Sequence, residues 1–221
     1  FPVFTALECF LKLVFSKLYF KGIISNITVS PVMGVGSYYD ISFMPQFQVS
    51  IMKIKNIFYF ANLILSRTPD AQAEITGGPL APNVRGTVSF YEVQGGSLVV
   101  AEVYNLPKMT APEGNSPPVG PFGFHIHEGT SCEIGTSTDP FQKAGGHFNP
   151  TNMPHPLHAG DMPVLFANDN GYAYLAFFTD RFTPKEVVER TVIIHQNPDD
   201  FRSQPAGNAG KRLACGVIMA K

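Results

Sequence analysis

The chain has 221 residues, 15% of them charged and 12% aromatic, with 20 Gly, 19 Pro and a formal net charge of −1. That length holds one sizeable domain plus an extension, or two small domains, and the turn-rich, charge-poor composition excludes a disordered chain or a coiled coil. A charge so near zero is no footprint for nucleic acid or an anionic membrane, so attraction for any anion must be local.

Residues 1–66 read differently from the rest: rich in Phe, Ile, Leu and Lys, without His, and with no sustained period of 2 or 3.6. Glu8, Lys12, Lys17 and Lys21 interrupt the apolar stretch Phe1–Ile24 too often for a membrane span. Two readings compete here, an upstream extension with little fixed structure and a translated segment outside the natural protein, with Met52 as the natural start. A third reading takes the basic start and short apolar run after Met52 as a signal peptide, with Ala71-Gln72-Ala73 as its cleavage site, although Arg67, Pro69 and Asp70 fit that badly. The expected organisation is an N-terminal extension at 1–66 and a domain at 67–221.

From Ala71 onward the punctuation predicts an antiparallel β protein. A first strand at 71–77 ends at Gly77-Gly78. A second, Val84–Val93, carries Val84, Val88 and Phe90 on one face; Gln94-Gly95-Gly96-Ser97 turns the chain into a third, Leu98–Asn105. The fourth, Phe122–Glu128, alternates Phe122, Phe124 and Ile126 with Gly123, His125 and His127. After a long loop, Asn168-Asp169-Asn170-Gly171 is a hairpin turn into Tyr172–Thr179. Thr183 as N-cap, Pro184 at N1 and Glu186 predict a short helix to about Arg190. Thr191–His195 and Leu213–Met219 are the last strands, around a second long loop. About eight strands with no sizeable amphipathic helix make a sandwich or barrel.

All six histidines fall between 125 and 195. His125 and His127 share one strand face about 6–7 Å apart, close enough to converge on one metal; the bland alternative is two solvated surface histidines. His147, His155, His158 and Asp161 lie in a loop of Pro, Asn and Gly that offers no apolar face to explain them as core. Three His and one Asp form a closed tetrahedral set for zinc, which would order that loop. His195 ends a β run and alone would be an ordinary strand-end residue. Three cysteines, Cys9, Cys132 and Cys215, cannot all pair, and no CxxC is present for a zinc ribbon or a thioredoxin-type site.

Five ordered segments carry a resemblance: Gly123-Phe-His-Ile-His-Glu, Gly146-His-Phe-Asn-Pro, His158-Ala-Gly-Asp, His195 with Asp199 four residues on, and Gly207-Asn-Ala-Gly-Lys-Arg-Leu-Ala-Cys-Gly-Val-Ile. Residues from about 70 to 221 resemble the copper–zinc superoxide dismutases, in a bacterial branch. The resemblance implies an eight-stranded antiparallel Greek-key β-barrel with two long functional loops. It implies copper held by His125, His127, His147 and His195, and zinc held by His147, His155, His158 and Asp161, with His147 shared. Asp199 would hydrogen-bond the free nitrogens of His125 and His155 and tie the metals together. Cys132 and Cys215 would form a disulfide closing more than 80 residues, worth roughly 4 kcal/mol. Arg212 would bind the substrate anion, with Lys211 or Lys143 adding positive field.

The implied reaction turns two superoxide anions and two protons into O2 and H2O2 by alternate reduction and oxidation of the copper, with His147 and Arg212 as the catalytic side chains. The loops at 155–158 and 195–207 look shorter than in animal members of that family, which bears on dimer contacts and steering rather than on the ligands, so the expected partner is superoxide, not nucleic acid, with a homodimer left open. The rivals are a non-catalytic dismutase-like metal-binding protein and a zinc hydrolase; the hydrolase lacks an open zinc position. The expected location is that of a soluble protein, either cytoplasmic or extracytoplasmic, periplasmic or secreted.

Overall fold

The computed structural model describes residues 66–221. Expectations placed on residues 1–65, including Cys9 and the segment from Met52, lie outside the described residues.

Among the described residues, seven strands form one antiparallel sheet: β1 (Ala71–Gly77), β2 (Arg85–Val93), β3 (Gly96–Tyr104), β4 (Phe124–His127), β5 (Ala173–Thr179), β6 (Thr191–His195) and β7 (Arg212–Ala220). Their order is β4-β6-β7-β1-β2-β3-β5, so the chain leaves β3 and crosses to the opposite end of the sheet to start β4. The all-β class is as the alternation predicts. The described residues form seven strands against the expected eight, and residues 161–165, which approach β4, make isolated bridges, Asp161 to His125 and Leu165 to Phe122. Pro163 stands between them without an N–H, so no continuous ladder can run through that segment. The fourth strand is shorter than predicted, since its ladder with β6 starts at Phe124 and Phe122 makes only an isolated bridge.

Alternating side chains explain the core. Val88 and Phe90 of β2, Val99, Ala101 and Val103 of β3, and Phe124 and Ile126 of β4 are all wholly buried in one apolar cluster. The β2–β3 hairpin closes on Gln94-Gly95, with Gly95 at φ 87°, a left-handed turn position that glycine occupies without a Cβ clash. The helix α1 (Pro184–Val187) has the capping box that its sequence predicts: the Thr183 N–H donates to Glu186 Oε2 at 2.7 Å. It stops short of Arg190, because Val188 already has extended backbone at ψ 141°. Among the described residues, no helix is long and apolar enough to cross a membrane.

The edge of β4 away from β6 is sealed by the long loop. The Phe148 N–H donates to Ile126 O at 2.8 Å, Ile126 N–H to Gly160 O at 2.9 Å, and Glu128 N–H to Gly146 O at 2.9 Å. Both faces of β4 are therefore buried, the apolar one in the core and the histidine one under the loops. This overturns the picture of solvated histidines on an open sheet face.

Candidate metal centre

Strand alternation aims His125 and His127 away from the core, and the sealing loop brings His147 directly opposite His127 in an isolated bridge. An irregularity between Ile194 and His195 breaks the β6–β7 register, and His195 comes to pair with Arg212. Such a bulge re-aims the side chains that follow it. The result is a group of four rings, with His125 and His147 stacked at 4.0 Å and His127 and His195 at 5.3 Å between centroids. One ligand atom from each of His125, His127, His147 and His195 lies within 4.8 Å of the others, and the same holds for His147, His155, His158 and Asp161.

Hydrogen bonding fixes which nitrogen each ring turns inward. The Nδ1–H of His127 donates to the Gly145 carbonyl at 3.0 Å, and that of His195 to the Gly210 carbonyl at 3.3 Å. A carbonyl only accepts, so Nε2 of each ring carries a lone pair. Asp199 takes the Nε2–H of His125 at 2.8 Å and of His155 at 2.9 Å, which leaves Nδ1 bare in both. Those two nitrogens, with His147 Nε2, are buried and without a hydrogen-bond partner. Burial holds His125 down at about 4 and pushes His127 and His195 well below the ordinary imidazole range.

The second set is gathered around one carboxylate. His147 Nδ1 is 2.7 Å from Asp161 Oδ1, His158 Nδ1 is 3.4 Å from His147 Nδ1, and His155 Nδ1 is 3.1 Å from Asp161 Oδ2. Although burial alone would raise it, the hydrogen bond and charge of His147 hold Asp161 at about 2. The first pocket thus gathers bare nitrogens that repel one another unless a cation lies among them, and the second sets the unpartnered His155 Nδ1 beside the Asp161 carboxylate that His147 already engages; nitrogen donors with one carboxylate suit copper and zinc. The residues fit the two metals.

Other expected residues fall into place around this pair of sites. Cys132 and Cys215 are bonded, with Cα atoms 5.6 Å apart. Arg212 is half-buried and donates to the Phe141 carbonyl at 2.5 Å and the Gly145 carbonyl at 2.7 Å. Lys143 is paired with Glu133, and Lys211 lies 3.8 Å from Asp139, so neither presents an unopposed charge. Sequence reasoning missed the carbonyls of Phe141 and Gly145, Gln204 beside His155, and the close approach of Gly207 to Asp199. A Cβ at Gly207 would lie 1.9 Å from Asp199 Oδ1, and its φ of 63° is left-handed. The run Gly207-Asn208-Ala209-Gly210 was the only signal available for that last one.

Residues 84–218 match the protein family described as Copper/zinc superoxide dismutase (SODC). A Cu-Zn superoxide dismutase of Aquifex aeolicus is 40% identical over 149 residues, covering 61% of this chain and 79% of that protein. The Cu-Zn superoxide dismutase of Deinococcus radiodurans is 36% identical over 153 residues, covering 62% of this chain and 78% of that one. Among solved structures, a Cu/Zn superoxide dismutase from Brucella abortus superposes with a TM-score of 0.54 at 29% identity, covering 66% of this chain and 98% of its own. The match to the family spans more than half of the sequence and includes every histidine of both sites, and the chain belongs to the copper/zinc superoxide dismutase family.

Proposed function

We propose that this superoxide dismutase holds copper through His125, His127, His147 and His195 and zinc through His147, His155, His158 and Asp161, within a functional domain at 67–221. The observation that carries the reading is the double exposure of one ring. His147 turns Nε2, buried and unpartnered, toward one set and Nδ1 toward the other. When bound, copper supplies the reversible one-electron change that turns two superoxide anions into O2 and H2O2, and zinc supplies a redox-inert charge.

The protein side of the reaction follows from the placed groups. His125, His127 and His195 are locked by Asp199 and two carbonyls into the tautomers that leave the inward nitrogens free. His147 Nδ1 stays engaged beside Asp161, so Nε2 is the atom at which a proton is taken up and handed to the reduced substrate. Two carbonyls hold the Arg212 guanidinium in place, and Arg212 lines a cleft of about 670 Å³ together with His127, His147 and His195. An always-charged planar group there both draws in a small anion and orients it.

Copper spectra test the shared ring. Adding zinc to copper-loaded protein should shift the copper electron paramagnetic resonance spectrum, and His147→Ala should abolish that shift. A wild-type spectrum indifferent to zinc would contradict the shared ligand.

A further inference from the structure

His155 sits between two prolines, Pro154 and Pro156, so its own N–H is the sole backbone donor in that tripeptide. No strand ladder can hold such a segment. The Gln204 side chain takes both handles: His155 N–H donates to Gln204 Oε1 at 3.1 Å, and Gln204 Nε2 donates to the His155 carbonyl at 2.6 Å. Of the side chains only a carboxamide supplies an acceptor and a donor in this fork, so Gln or Asn fits chemically and only Gln has this reach. Five residues earlier in the same loop, Asp199 grips the ring of the same histidine at Nε2.

We infer that Gln204 is a positioning residue for His155, so that the loop 199–204 holds this ligand at two points, backbone and ring. The inference rests on the reading of His155 as a zinc ligand. With its peptide fixed by Gln204 and its ring by Asp199, His155 Nδ1 keeps its direction toward Asp161 before any metal arrives. Preorganisation of this kind lowers what binding must spend on ordering the loop. Gln204 also lines the cleft that His147 and Arg212 share, so the second loop controls zinc retention from the substrate side.

The test uses the full chain loaded with copper and zinc and follows zinc release to an excess of a coloured chelator. Gln204→Ala should release zinc at least tenfold faster. Gln204→Glu, which keeps the acceptor but sets a carboxylate against the His155 carbonyl, should also release it faster. In metal-free protein, hydrogen exchange at the His155 amide should accelerate at least tenfold in Gln204→Ala. Ser203→Ala, which loses a hydrogen bond to Asp200 in the same loop, should change neither readout. Release and exchange within twofold of wild type in both Gln204 variants would overturn the inference, as would an equal acceleration in Ser203→Ala. Failure of the underlying site reading looks different: His155→Ala would then hold zinc as tightly as wild type.

Discussion

The Nε2 atoms of His127 and His195 face each other at 3.2 Å, and both carry lone pairs because each ring spends its single N–H on a backbone carbonyl. Two acceptors at that range repel. A cation between them would convert the repulsion into coordination, and imidazole nitrogen suits copper. The fold holds this arrangement by strand β4 on one side and the irregular end of β6 on the other, so the site is built before the metal binds.

Asp199 is the joint between the two sites. Asp199→Asn keeps the shape but offers one acceptor and an N–H that opposes the Nε2–H of either His125 or His155. The expected outcome is metal affinity lower by about 10–100-fold at the site that loses its partner, read by chelator competition.

Arg212→Ala should leave copper bound while turnover falls and its decline with ionic strength flattens. The guanidinium contacts carbonyls and the cleft, not the inward nitrogens. Stopped-flow measurements of superoxide decay across a salt series decide this; an unchanged rate and slope would remove the role.

The disulfide ties residue 132 to residue 215 across 83 positions. Replacing both cysteines by serine should lower unfolding free energy by roughly 4 kcal/mol on the chain-entropy account. Cys132 packs with Phe141 and Ala144, so the carbonyl that holds Arg212 loosens as well. Urea unfolding of the oxidised and the double-serine proteins measures the first effect.

Acid should destabilise the metal-free protein in a defined window. His125 titrates at about 4 when folded, because burial disfavours its charged form, against about 6.5 when unfolded. The unfolded chain therefore binds the proton first, so stability is full above pH 6.5 and is lost as pH falls toward 4. Asp161, held at about 2, adds a loss at lower pH, below the ordinary carboxylate range. Urea midpoints measured at successive pH values should fall in that order.

How much of this was legible in the sequence depends on the range of the interaction. His125 and His127 follow from strand alternation, the Thr183 cap from its local motif, and the zinc set from a loop that gave its histidines no other purpose. The resemblance brought in Asp199, Arg212 and the disulfide. What stayed hidden was long-range and carried by backbone: the Phe141 and Gly145 carbonyls, and the grip of Gln204 on a residue 49 positions away. A carbonyl is present at every position, so no residue type announces it. The seven strands named from the sequence match the seven among the described residues, while Pro163, which has no N–H, sits in a segment that makes only isolated bridges.

Metal content and superoxide loss measured on one preparation test the central claim most directly. The account predicts about one copper and one zinc per chain, with superoxide decay proportional to the copper bound. Zinc alone, retained without any acceleration of superoxide decay after copper is supplied, would contradict it and leave a metal-binding scaffold.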